Sequence, residues 1–178
     1  MPKIVLLPFL FAAASLIAGL YGVLHNQISY TVSHEYFSLF KFNQFAIEDQ
    51  FRNRIGASVV GFYASWWMGA LMGIPVSLAA LFASTPRRCA TLFLGSTVIV
   101  VIIALTIGLG GLVFSPFMTP SSGFTSAAEK AGVIDPSAFF RAGTMHDFSY
   151  LGSIVGMVIA IGWIIMKIKQ ADKKTEIA

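Results

Sequence analysis

The sequence predicts an all-α membrane protein, a bundle of four transmembrane helices capped by two long extracytoplasmic connections. Three observations carry this. Four stretches, 4–24, 55–83, 89–114 and 148–166, contain no Asp, Glu, Lys, Arg or His, and crossing the hydrocarbon core takes roughly 20 predominantly apolar residues. Charged residues make up only 11% of the chain, against 56% hydrophobic, whereas soluble domains carry roughly 25% charged residues. The short segments that flank these stretches are basic, as membrane topology requires. The mean hydropathy is +0.77 and the pI about 9.4. At 178 residues the chain makes one integral membrane domain, residues 1–178, with no room for a separate soluble one.

The first stretch opens after Lys3 and carries Pro8 early, which membrane helices tolerate. Lys3, an apolar core and the small residues Ala12–Ala14 or Ala18-Gly19 also fit a cleaved signal peptide loosely. The apolar run to Leu24 is long for that alternative.

The first long connection, 25–54, begins His25-Asn26-Gln27. Ile28, Tyr30 and Val32 then alternate with Ser29, Thr31 and Ser33. This period of two predicts a short β segment over 28–32. Ser33 is placed to cap a short helix with Glu35 in its first turn. The aromatic run through Phe37, Phe40, Phe42 and Phe45 is too apolar for open water and is expected to pack on the bundle or dip into the interface.

The second stretch repeats small residues every fourth position: Ala57, Gly61, Ser65, Gly69, Gly73 and Ser77. Such a stripe lets another helix backbone approach closely, and it is expected to seat the first or fourth helix. A homo-oligomer interface is the alternative. Trp66 and Trp67 read as packing residues, and Pro75 as a site for a kink. Thr85-Pro86 is a helix start. The third stretch ends in Gly108, Gly110 and Gly111, a signal for loosening or close contact.

In the second connection, 115–147, Ser126 and Glu129 match a capping box and Gly132 a helix stop. Asp135-Pro136 starts a helix able to run through 138–144 into the fourth stretch. There Gly152, Gly156 and Ala160 repeat the small-residue spacing.

Lys3, Arg87, Arg88 and the tail residues Lys167, Lys169, Lys173 and Lys174 fall on one side if all four stretches span. The positive-inside rule then places both termini in the cytoplasm and both long connections outside. The basic residues form no single face, which argues against a nucleic-acid partner and for the lipid bilayer. Cys89 is the only cysteine, which excludes an internal disulfide and a CxxC motif.

All three histidines fall outside the charge-free stretches. His25 and His146 should lie at similar depth and could meet if the first and fourth helices are neighbours. With His34, Glu35 and Asp147 they form a candidate outer-face site for a divalent metal or for acid/base chemistry. No HExxH, EF-hand or ferritin-type ExxH pattern supports it. The same residues are equally what helix ends at headgroup level look like. Haem ligation would use His25 and His146 as an axial pair, but no histidine lies inside a stretch. Transport through a small oligomer lacks the intramembrane charge that coupled transporters use. The leading functional expectation is non-enzymatic: an outer cap that binds a membrane-protein partner or senses the periplasmic surface.

The segment from His25 through Phe37, followed by Lys41-Phe42 and Gln44-Phe45, resembles a family of uncharacterised bacterial multi-pass membrane proteins. These carry H-x-Q-x-S-Y-T-V-S-x-E-Y-F after the first transmembrane helix, then K-F-x-Q-F and a Trp-rich second helix. Here His34 stands where such proteins often have Pro, and Asn26 where they commonly have Asp. The resemblance implies a bacterial inner membrane and no particular activity.

Overall fold

In the computed structural model, which describes residues 2–177 with side chains through Lys173, four long helices account for most of the chain. They are α1 (Leu7–Val32), α3 (Arg54–Ala80), α4 (Pro86–Phe114) and α6 (Pro136–Ile177). Two short ones, α2 (Phe42–Gln44) and α5 (Ser122–Lys130), lie in the connections. Each of the four is long and apolar enough to cross a membrane. Their outward faces are apolar as well: Leu20, Leu78, Ile102 and Val158 are more than half exposed. Lipid is the solvent that such a surface requires.

The small-residue stripes set the packing. A Cβ on Gly61 would lie 2.2 Å from the Gly22 carbonyl oxygen, and one on Gly69 would lie 2.4 Å from that of Ala14. The α1 and α3 backbones therefore touch along an antiparallel seam, and Ala57 at its end is fully buried. The stripe on α3 thus seats the first helix, within one chain. In α6, Gly152 faces the Ala104 backbone of α4 and Gly156 that of Val100, while Ala160 is fully buried. These contacts make a second close antiparallel pair. Contacts between the two pairs are much sparser. At one end Leu10, Ala14, Val76, Leu92, Phe93 and Ile164 close the space between them with a continuous apolar core.

That end is the basic one. Lys3 donates to the carbonyls of Leu81 (2.6 Å) and Ala83 (2.8 Å), and Arg88 donates to that of Lys167 (2.6 Å). The first residues, the short 81–85 link and the start of the basic tail therefore share one end. Thr85 caps α4 through Arg88 N (3.2 Å), as its sequence predicts.

The loop end differs from the sequence expectation. Residues 28–32 form no strand; they complete α1, and no strand occurs among the described residues. The alternation is overridden because α3 offers partners to a continuing helix. Gln27 donates to the Arg54 carbonyl (3.0 Å) and to Ser58 Oγ (2.9 Å), and Arg54 donates to Thr31 Oγ1 (3.1 Å). The first connection thus shrinks to 33–53 and the second to 115–135. Ser33 does accept from Tyr36 N (3.2 Å). The chain then makes a wide π-helical turn, Tyr36–Lys41. The extra residue per turn points Tyr36 and Phe37 inward together, and with Phe42 they are buried over the bundle end.

α5 starts earlier than the capping-box pattern indicates: its cap is Ser121, which accepts from Phe124 N (3.2 Å). Gly132 does end it, at φ 72°. Val133 N reaches the Ala128 carbonyl (3.0 Å), which closes a Schellman turn over two buried side chains. Asp135 caps α6 through Ala138 N (2.9 Å). α4 stays helical through Gly108 and Gly111, which lie against Ser149 and Phe148 of α6. Trp66 and Trp67 do not pack in the protein interior: both are nearly half exposed on the outer face of α3.

Candidate functional site

Once α1 runs to Val32, Tyr21 and His25 stand one turn apart on a helix face, with Asn26 beside them. Likewise, His146 and Ser149 share a face of α6, ten and more residues beyond its start. Both histidines therefore sit within long helices, which corrects their placement at loop ends. His25 lies 22 residues from Lys3, or about 33 Å at about 1.5 Å per residue. That is one hydrocarbon thickness from the basic end.

These faces meet in the interior. The His25 and His146 rings pack edge to face with centroids 4.6 Å apart. Tyr21 hydroxyl and Ser149 hydroxyl are hydrogen-bonded across the same gap. Asn26 is the centre of the group. Its Nδ2 donates to the Ala57 carbonyl (3.0 Å), which fixes the amide so that Oδ1 turns toward His146 Nε2 (3.1 Å). The second His146 nitrogen, Nδ1, faces the Ala142 carbonyl (2.8 Å). Both His146 nitrogens thus face oxygens; the neutral ring donates through one of them, and both are occupied within the protein.

His25 is different. Its Nδ1 also faces Asn26 Oδ1, at a long 3.4 Å, and the Met145 carbonyl is a second acceptor near the ring, so the ring has an oxygen for its proton in either tautomer. Nε2 is fully buried, closed even to a water molecule, and makes no hydrogen bond of proper geometry. His25 as a whole is 4% exposed. An unmade hydrogen bond at such depth costs about 1–3 kcal/mol.

A cavity of about 80 Å³ adjoins this cluster, between the two helix pairs. Its head is polar, with Tyr21, His25, Asn26, His146 and Ser149. Beyond the head, Ala, Met and Val side chains alternate with the hydroxyls of Ser65, Thr97 and Ser153, and the cavity ends on Ala14 and Val76, which belong to the closing core. Half-buried Met68 and exposed Tyr150 also line it, so it reaches the bundle surface. The lining contains no Asp, Glu, Lys or Arg. Above it, the first connection forms a roof: Tyr36 lies 5.1 Å from the His146 ring and the same distance from Phe139.

The five residues expected to bind metal do not gather. His25 and His146 meet. His34 is exposed against Tyr30, at 4.4 Å between ring centroids, and Asp147 is exposed beside His146. Glu35 instead accepts from the amides of Ile134 and Asp135, both at 2.9 Å, and so ties the first connection to the start of α6. Among the described residues no group of three or more His, Cys, Asp or Glu is placed to hold a metal. Two rings in edge-to-face contact also leave no room for a macrocycle between them. Sequence reasoning missed Tyr21, Ser149 and the central role of Asn26. The signal was present in their helical spacing but hidden by reading 25–32 as a loop.

Comparison with protein-family models, with curated proteins and with solved structures finds no match. The fold and its interior define a class by themselves: a helical membrane protein of two tightly packed hairpins with a polar-headed cavity between them.

Proposed function

We propose that this is a membrane-resident, non-enzymatic binding protein that holds a small lipophilic molecule between its helix pairs. The observation that carries this reading is the cavity of about 80 Å³ between the helix pairs, headed by Tyr21, His25, Asn26, His146 and Ser149 and without a charged residue in its lining. Loose contact between the pairs supports entry from the bilayer. The roof of Tyr36 and Phe37 supports a sensing role, because occupancy of the cavity would bear on the 33–53 connection through His146. This deepens the expected outer cap: its interior side faces the ligand and its exterior side is free for a membrane-protein partner. Transport finds less support, since the apolar core closes the basic end.

The basic end is read as cytoplasmic, in a bacterial inner membrane, with the 33–53 connection outside. Cys89 is fully buried, so introduced cysteines report cleanly. An impermeant thiol reagent added to intact cells should label Ser38→Cys and spare Arg87→Cys; the reverse pattern overturns the orientation. The binding reading is tested by native mass spectrometry of the full chain released from membranes. A retained small molecule is expected, and it should be lost in Ala64→Phe, which fills the cavity. A wild-type protein that is always empty, or equal retention in the variant, overturns it.

A further inference from the structure

We infer that the molecule held between the helix pairs is a lipid of the leaflet opposite the basic end, with one acyl chain in the cavity and a zwitterionic head set between Lys41 and Asp147. This rests on the binding reading above and adds the identity of the ligand. The shape of the cavity is the first ground. On α1 its lining runs from His25 and Asn26 to Ala14. Ala14 is 11 residues from His25, or about 16 Å at about 1.5 Å per residue. That is half of the roughly 30 Å hydrocarbon core, the depth of one leaflet. Lys3 lies a further 11 residues on, so the cavity occupies the half of the bilayer away from the basic end. A long space between helices, with a volume of only about 80 Å³, suits a single extended chain. The hydroxyls along it do not oppose this. Thr97 donates to the Phe93 carbonyl (3.1 Å) and Ser153 to that of Ser149 (3.0 Å), so their own helices satisfy both protons. Ser65 sits level with Gly22, near the polar end, where the ester oxygens of a lipid would accept from it.

The rim of the cavity is the second ground. Tyr150 belongs to the lining and is exposed. Asp147 stands one turn outward on the same face of α6. It is exposed and acts electrostatically on Tyr150, Tyr36 and Lys41. From the first connection, Lys41 brings its ammonium 4.5 Å from the Phe40 ring centroid and 5.6 Å from that of Tyr36. It donates to Gln44 Oε1 (3.0 Å). The two opposite charges are thus neighbours at the rim, yet they form no ion pair with each other; among the described residues that contact is made by Arg52 and Asp49. Burial among the rings pushes the Lys41 ammonium below its ordinary pKa, and Asp147 offsets only part of this, so a further anion beside Lys41 is favoured. A phosphate at Lys41 and an ammonium at Asp147 satisfy both charges together. A purely anionic head leaves Asp147 as a repelling neighbour, and an uncharged head leaves both groups unpaired.

The test is native mass spectrometry of the full chain in mild detergent, titrated with three lipids of identical acyl chains: phosphatidylethanolamine, phosphatidylglycerol and diacylglycerol. The zwitterionic lipid is expected to bind about two- to fivefold more tightly than phosphatidylglycerol, the range of one exposed ion pair, and more tightly still than diacylglycerol. In Asp147→Asn the preference for phosphatidylethanolamine over phosphatidylglycerol should vanish, while both still bind better than diacylglycerol. In Lys41→Gln the advantage of both phospholipids over diacylglycerol should shrink; if that variant does not fold, the wild-type series and Asp147→Asn decide. Glycerophosphoethanolamine, which has the head without the chains, should not displace the bound lipid; displacement by it overturns the chain seat. Equal binding of the three lipids to the wild type overturns the zwitterionic assignment while leaving a lipophilic cavity. Failure of all three to bind, or an unchanged ranking in Ala64→Phe, overturns the placement of a lipid in the cavity; a wild-type protein that also leaves the membrane empty overturns the binding reading itself.

Discussion

Asn26 Oδ1 and His146 Nε2 stand 3.1 Å apart although 120 residues separate them in the chain. Together with the Tyr21–Ser149 hydrogen bond, this contact joins the α1–α3 pair to the α4–α6 pair at the head of the cavity. Through Nδ2 the same amide is anchored to the Ala57 carbonyl of α3. The two pairs also meet in the apolar core at the basic end, so at the cavity end their mutual orientation rests on Asn26 together with the Tyr21–Ser149 bond.

Replacing Asn26 with Leu should therefore destabilise the protein by about 1–3 kcal/mol, since it leaves buried polar partners unmatched. Thermal unfolding in mild detergent measures this. An unchanged midpoint would mean that the amide does not join the pairs.

Gly61→Val should separate α1 from α3, because even a Cβ there would meet the Gly22 carbonyl at 2.2 Å. Loss of folded protein is the expected outcome. Gly110 has nothing within 4 Å of its Cβ position, so Gly110→Ala should be neutral or stabilising by up to about 1 kcal/mol. Equal behaviour of the two variants in an unfolding series would contradict the seam.

Glu35→Gln removes one of the two carboxylate oxygens that accept from Ile134 N and Asp135 N. Amide exchange at those two positions should quicken about five- to tenfold, in line with the loss of about 1 kcal/mol. Exchange rates equal to wild type would show that the tie is not formed in the membrane.

Ala46 adopts φ 50°, a left-handed conformation that costs a non-glycine residue roughly 1–2 kcal/mol. Ala46→Gly should relieve it and raise stability by about 1 kcal/mol. A lower unfolding midpoint in the variant would argue against this backbone conformation.

Burial of Tyr36, reinforced by Asp147 and Tyr150, raises its phenol above the usual value of 10.0. The folded state thus keeps a proton that the unfolded state releases. Its contribution is fully present below pH 10 and declines as pH rises beyond it, by up to about 1.4 kcal/mol per pH unit. Tyr36→Phe should flatten the alkaline decline in unfolding midpoint between pH 9 and 11. An identical slope in both proteins would remove Tyr36 as its source.

The chain by itself determined the four apolar helices, their basic end, the Thr85 and Asp135 starts and the small-residue seams. Each of these is local: charge-free length, cap chemistry and a four-residue spacing act within one helix. The sequence also placed His25 and His146 at one depth, because depth follows from counting along an apolar run. Tertiary structure decided the rest. Residues 28–32 alternate like a strand, yet they stay helical because α3 supplies acceptors and donors that a local pattern does not contain. The same packing drew Asn26 between two imidazoles and left Glu35 and Asp147 outside. Which polar groups share an interior depends on how two hairpins lean together, and no spacing within one helix encodes that angle.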